Sequence, residues 1–257
     1  MASWGTRRRN IIVTIFLITL FIVLSVTAYL FLYEAPNCFD NKQNGTEVGI
    51  DCGGSCDLLC SNQALSPLTK WTRYFEVIPG LYNAVTYLEN QNTNAGTKNL
   101  EYKFTIYDRD NTILSERVGS IELRPKEIIP IVANELRTGQ LKPTRISFEI
   151  TNDVVWEKDN IRDAVISIKD ERLTQSDNSP RVSAVLENIG FERIEDIKTV
   201  IILYNSEGNA IGVSSTVTPI INAGGEANVL FTWPQNFVGT VSRFEIIPLY
   251  ETSEGAL

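Results

Sequence analysis

Hydrophobic and polar residues follow two different rhythms along this chain. From Ile11 to Tyr33 it reads IIVTIFLITLFIVLSVTAYLFLY, with no charge, Pro or Gly. At ~1.5 Å of rise per residue, a helix of that length crosses a hydrocarbon core of about 30 Å. Beyond Pro67 the period shortens to two. Leu100, Tyr102, Phe104 and Ile106 alternate with Glu101, Lys103 and Thr105, and Ile146, Phe148 and Ile150 alternate with Ser147 and Glu149. Such alternation marks half-buried antiparallel strands. No stretch after the apolar run combines helical periodicity with capping residues, so the pattern predicts an all-β body behind one helix.

The strand pattern occurs twice, at a spacing of about 97 residues. Val85-Thr-Tyr-Leu-Glu-Asn90 answers Ser183-Ala-Val-Leu-Glu-Asn188, and Phe104-Thr-Ile-Tyr-Asp108 answers Ile201-Ile-Leu-Tyr-Asn205. Arg145-Ile-Ser-Phe-Glu-Ile150 answers Arg243-Phe-Glu-Ile246 with a slip. After the Tyr strand, Asn111 in one copy stands where Gly208 stands in the other. Gly and Asn best tolerate a left-handed backbone, so both positions are expected at positive φ in a bulged hairpin turn. Each copy has room for a small antiparallel sandwich. The expected organisation is a basic tail (1–10), a transmembrane helix (11–33), a Cys-rich linker (34–66), sandwich one (67–151), a linker (152–163), sandwich two (164–250) and a short tail (251–257). Trp156 is a candidate for packing between the sandwiches, or an ordinary edge-strand aromatic. Phe231-Thr-Trp-Pro-Gln-Asn-Phe237, the most aromatic local run, reads either as a binding patch or, the preferred reading, as a strand end with Trp233 over the core and Pro234 stopping the ladder.

Arg7-Arg8-Arg9 precede the apolar run, while Glu34 and Asp40 follow it. The positive-inside bias then places the N-terminus in the cytoplasm and the rest outside, with Trp4, Tyr29 and Tyr33 at the two interfaces. Val26-Thr27-Ala28 would suit a signal peptidase, but the apolar run continues past it to Tyr33. A typical signal h-region spans only about 7–15 residues, so an uncleaved anchor is expected.

All four cysteines, Cys38, Cys52, Cys56 and Cys60, fall in one short stretch. Outside the cytoplasm an even set reads as two disulfides, of which three pairings exist. Four-cysteine zinc sites show paired C-x2–4-C knuckles, whereas Cys38 stands alone. Asp40, Asn44, Glu47 and Asp51 lie among glycines in the same stretch and could ligate calcium. Equally, they could be turn-formers that accept bonds from the local backbone. Both readings stand at this point.

The spacing C-x-D-x3-N-G-x-E-x-G-x-D-C-G-G-x-C from Cys38 resembles a short cysteine module of bacterial secreted and envelope proteins, found beside β-sandwich domains. Leu186-Glu-Asn-Ile-Gly190, Leu203-Tyr-Asn205 and Ala223-Gly-Gly-Glu226 resemble the FxLYD group of Ig-like sandwiches. The first copy departs from that group at Pro125-Lys-Glu127. As a whole the chain resembles membrane-anchored envelope proteins of small-genome bacteria, which implies a location and a fold but no activity.

Composition narrows the function. The net charge is −8, and the residues after Arg9 carry 20 basic against 31 acidic side chains. An acidic body without a basic stripe is a poor partner for nucleic acid. No glycine-rich loop links a strand to a helix, so no nucleotide site is expected. There is no histidine, which excludes His-based triads and His-ligated metals. Asp108-Arg-Asp110 and Glu192-Arg-Ile-Glu-Asp196 carry paired carboxylates but in turn-like segments, so no catalytic residue is assigned. The expectation is a non-enzymatic, single-pass extracytoplasmic protein that binds a protein or envelope polymer. Alternatives are an accessory subunit of a membrane complex, with Thr14, Thr19, Ser25 and Thr27 as lateral contacts, and a calcium- or carboxylate-dependent enzyme. A pocket of clustered acids held above their ordinary pKa would favour the enzyme.

Overall fold

The structure, a computed structural model, describes residues 4–33, 35–160, 164–174, 180–235, 237 and 239–251. Glu34, the end of the 152–163 linker and most of the 251–257 tail lie outside the described residues. The chain divides into two compact units, Met1–Cys56 and Asp57–Leu257.

In the first unit, helix α1 (Trp4–Leu32) contains the apolar run. Within its Arg7–Leu32 portion the most apolar stretch reaches a mean hydropathy of 2.8, and none of that stretch is buried. It is long and apolar enough to cross a membrane, and a signal sequence would share those properties. The hydroxyls of Thr14, Thr19 and Thr27 all donate to the carbonyl four residues back, so they satisfy themselves within the helix. Tyr29 and Tyr33 stack at its end. Past the helix, Cys38 and Cys56 form a disulfide. Cys52 and Cys60 are disulfide-bonded as well, and no described cysteine is free.

The second unit is all β. Its first copy contains β1 (Leu68–Ile78), β2 (Leu81–Glu89), β3 (Ala95–Tyr107), β4 (Ile113–Leu123), β5 (Ile128–Arg137) and β6 (Arg145–Ile150). These form two antiparallel sheets, β1-β2-β5 and β4-β3-β6. A two-residue strand, β7 (Glu157–Lys158), pairs with Ala95 and Gly96 of β3. The second copy contains β8 (Ile166–Thr174), β9 (Arg181–Asn188), β10 (Ile194–Tyr204), β11 (Ala210–Ile221), β12 (Glu226–Thr232) and β13 (Arg243–Leu249). Its sheets, β8-β9-β12 and β11-β10-β13, repeat the first topology strand for strand.

The repeat extends to individual hydrogen bonds. Asn90 and Asn188 are both buried posts at the end of equivalent strands. Each side-chain amide donates to two backbone carbonyls, those of Ala95 and Arg124 in one copy and of Glu192 and Ile221 in the other. Asp108 and Asn205 cap the two hairpins, each accepting from two backbone N–H groups of its own turn. Asn111 and Gly208 sit at φ 62° and 78°, as the turn requires. Arg145 lies over the Tyr107 ring at 3.9 Å, and Arg243 over Tyr204 at 4.0 Å. Strand β12 stops at Thr232, with Trp233 buried in the second core against Phe237.

The two sandwiches are not beads on a tether. Each has its own core, around Phe104 and Ile131 in the first and around Ile201 and Phe231 in the second. A third core joins Val85 and Val132 of the first copy to Val200, Ile202, Tyr204, Ala210 and Val213 of the second, flanked by Trp71, Phe75 and Tyr87. Sheet β1-β2-β5 therefore packs face to face on β11-β10-β13, giving a stack of four sheets whose inner two are buried on both faces. Polar contacts clasp the seam: Tyr87 and Tyr204 both donate to Glu245, at 2.8 and 2.9 Å. Asn83 donates to the Val213 carbonyl and Asn134 to the Ser215 hydroxyl. Trp156 is buried beside the start of this unit: its carbonyl accepts from Leu59 N–H at 2.8 Å. Lys158 N–H likewise bonds the Asp57 carbonyl. Residues 57–59 are thus stitched to residues 156–158 rather than forming a free linker.

Candidate functional site

Stacking two rounded sandwiches leaves a gap where the sheets diverge. Here it is a cleft of about 870 Å³. One wall comes from the end of β4, the Arg124–Glu127 turn and the start of β5; the other comes from the β9–β10 loop, the first half of β10 and the end of β13. Tyr102, Ile121, Ile129 and Leu249 supply its apolar surface, and Tyr250 an aromatic edge. Domain junctions are a common place for ligand pockets of this size.

Charge in the cleft is unevenly settled. Arg124 is held: it lies 3.6 Å from Glu122, donates to the Tyr250 carbonyl and covers the Tyr250 ring. Tyr250 in turn accepts from Val165 N–H through its hydroxyl. At the mouth Arg193 pairs with Glu195 at 2.9 Å. Glu127 reaches back to accept the Arg124 N–H at 2.9 Å, closing a turn in which Lys126 has φ 59°. Burial pushes the Glu127 carboxyl above the ordinary carboxylate range, with Glu122 and Asp159 adding to the push and Arg124 opposing it. Lys198 is the opposite case. Its ammonium donates to the Val132 carbonyl at 3.3 Å, and burial pulls its pKa below the usual lysine value. Among the described residues no acid is within salt-bridge distance of it.

The residues singled out from sequence divide into three groups. Glu192, Glu195 and Asp196 do line the cleft, and Asp196 adopts φ 50°. Asp108 does not: its carboxylate is engaged in the β3–β4 turn. In the cysteine stretch, the calcium candidates form one network of short bonds. Asp51 accepts the N–H groups of Asp40 and Asn41, and Asp40 accepts from Lys42 N–H and the Asn44 amide. Glu47 accepts the Asn44 N–H at 3.0 Å. Each carboxylate thus builds a turn, and a cation would compete with those N–H groups for the same oxygens. Cys38, Glu47 and Cys56 also converge, but the two sulfurs are bonded to each other and are not thiolate ligands.

Glu127 and Lys198 were not identified from sequence. Glu127 stood only as a departure from the Gly-Glu turn of the second copy. A signal for Lys198 existed: it opens the run Lys198-Thr-Val-Ile-Ile-Leu-Tyr204, whose apolar part is continuous rather than alternating. A continuous run marks a strand buried on both faces, and a lysine at its head must sit at the rim of that burial.

No family model matches the chain, and no curated protein matches it. Among solved structures, red sea bream transglutaminase is similar over 74% of this chain, at 6% identity and a TM-score of 0.23. The match covers 32% of that enzyme, so this chain spans about a third of its length. A likeness at that level informs neither the fold nor the chemistry here.

Proposed function

We propose that this is a non-catalytic, membrane-anchored binding protein of the cell envelope, with α1 as its single span and the paired sandwiches outside, taking its ligand in the junction cleft. The observation that carries the reading is α1 itself: a long helix, apolar from Ile11 to Leu32 and unburied along that run, ahead of an all-β body with oxidised cysteines. An apolar surface of that size needs lipid to cover it, and disulfides persist in oxidising compartments. The resemblances at Cys38–Cys60 and at Leu186–Glu226 point to the same envelope setting and to FxLYD-like sandwiches. Binding rather than catalysis is supported by how the cleft's acids are used. Glu122 and Glu195 are paired with arginines, and Glu127 holds a turn.

The test is made in intact cells. A membrane-impermeant protease should remove the sandwiches while the fragment containing α1 stays in the membrane fraction. A photo-crosslinking residue at Ile121 should trap an occupant that the same residue at Lys103, on the outer sheet, does not. A mature chain starting after Ala28, or equal trapping at the two positions, would sink the proposal.

A further inference from the structure

The reading above leaves the occupant of the cleft open, and the charges in it limit the choice. Lys198 is a half-buried ammonium whose bond is to a backbone carbonyl; an ammonium has three donors, and no described acid neutralises it. An uncompensated buried charge is costly, and a carboxylate is the group that relieves it best. Across the same cleft, Glu127 faces the opposite shortage. Its nearest charges include two acids, Glu122 and Asp159, and Arg124, which is already shared with Glu122. A cation there relieves what burial imposes. The remaining rim adds Glu192, Asp196 and Glu251, so a ligand carrying only negative charge would be repelled on entry. The same cleft also offers apolar surface from Ile121, Ile129 and Leu249.

We infer that the cleft takes a zwitterionic ligand of amino-acid or short-peptide type, its carboxylate on Lys198, its ammonium on the Glu127 side and an apolar body between them. This rests on the cleft being the binding site proposed above. A volume of about 870 Å³ accommodates several residues of peptide, so the two charges need not sit on one carbon.

The experiment uses the full chain in nanodiscs and three probes: alanyl-leucyl-alanine, its N-acetyl form and its C-terminal amide, with affinity read by calorimetry. The free tripeptide should bind saturably, and blocking either end should weaken it by about tenfold, the worth of one charge-assisted contact. Lys198→Met keeps the apolar stem and should bind the free peptide and its amide equally. Glu127→Gln keeps the turn's acceptor and should erase the difference between free and acetylated peptide instead. Circular dichroism of both variants separates loss of binding from loss of fold; should either unfold, Lys198→Arg must retain the preference for a free carboxylate. Equal binding of all three probes, or none, overturns the assignment. If the crosslinker at Ile121 still traps an occupant, only the zwitterion chemistry falls. If it traps nothing, the cleft reading falls with it.

Discussion

Ile201 and Ile202 are neighbours on β10, both fully buried, and they point into different cores. Ile201 packs inside the second sandwich, while Ile202 packs against the first. Truncating either to alanine removes the same atoms, so any difference reports what surrounds them. If the four sheets form one cooperative body, Ile202→Ala should cost what a core isoleucine costs, about 2–5 kcal/mol, as should Ile201→Ala. For a body of this size, each kcal/mol lowers Tm by roughly 2–4 °C, so a loss of about 3 kcal/mol gives a drop of about 6–12 °C. Fluorescence distinguishes the parts: Trp71 lies at the seam and Trp233 in the second core. Both should report a single urea transition that shifts together. Were the sandwiches independent, Ile202 would be a surface residue and its loss would change stability by less than about 0.5 kcal/mol. A near-neutral Ile202→Ala beside a costly Ile201→Ala would refute the stacked arrangement.

Asn188→Ala strips partners from the Glu192 and Ile221 carbonyls and the Gly190 N–H, around a side chain that is itself fully buried. The expected cost is roughly 3 kcal/mol in denaturant melts, and Asn90→Ala should cost about the same. At Glu245, burial raises the pKa but is outweighed by hydrogen bonds from Arg243, Tyr87 and Tyr204, leaving it below its ordinary 4.5. A depressed folded pKa contributes stability above the unfolded value that is lost as pH falls through the folded one. Thermal melts should therefore drop more steeply below about pH 4.5 for the native chain than for Glu245→Gln, measured against the same buffer series. A Cβ on Gly54 would meet the Thr46 carbonyl oxygen at 1.8 Å, on a backbone at φ +60°. Gly54→Ala should leave free thiols that maleimide labels in the otherwise oxidised protein, with little effect on the melting of the sandwiches. The calcium candidates already serve the backbone, so millimolar calcium and chelator are expected to give the same melting temperature.

Much of this fold can be read without coordinates. Period-two patterning located the strands, and Asn111 and Gly208 gave away the hairpin type, because backbone sterics act within a few residues. The positions of Trp233 and Pro234 at a strand end follow from equally local rules. The seam and the cleft are another matter. Glu127 and Lys198 are some seventy residues apart in the chain, and each alone looks like an ordinary surface charge. They become a site only when β5 and β10 are packed into adjacent sheets. Reading the repeat as two separate sandwiches with a linker also hid β7 and the stitching of Asp57–Leu59 to Trp156–Lys158. Those contacts depend on pairings between distant segments, which period and spacing do not encode.

The information for the seam was nonetheless present in how the two copies differ. Aligned by their Tyr strands, Val200 and Ile202 of the second copy correspond to Lys103 and Thr105 of the first. Val200 and Ile202 face the other sandwich, whereas Lys103 lies 3.5 Å from Glu116 and Thr105 bonds the same carboxylate. The converse holds on the other sheet. Val85 and Tyr87 of the first copy meet the second, and their counterparts Ser183 and Val185 lie on an outer sheet. On that sheet Lys169 bridges Glu187 and Glu226. Two unlike faces of one repeat therefore meet once, and this kind of head-to-tail contact could in principle continue into a filament. Both outward faces oppose further stacking with charge: Lys103 and Thr105 engage Glu116 on one, and Lys169 with Glu187 and Glu226 flanks Ser183 and Val185 on the other. A tandem repeat whose copies interchange polarity on opposite faces is a stack, and the face that stays apolar in each copy is the one that finds the other.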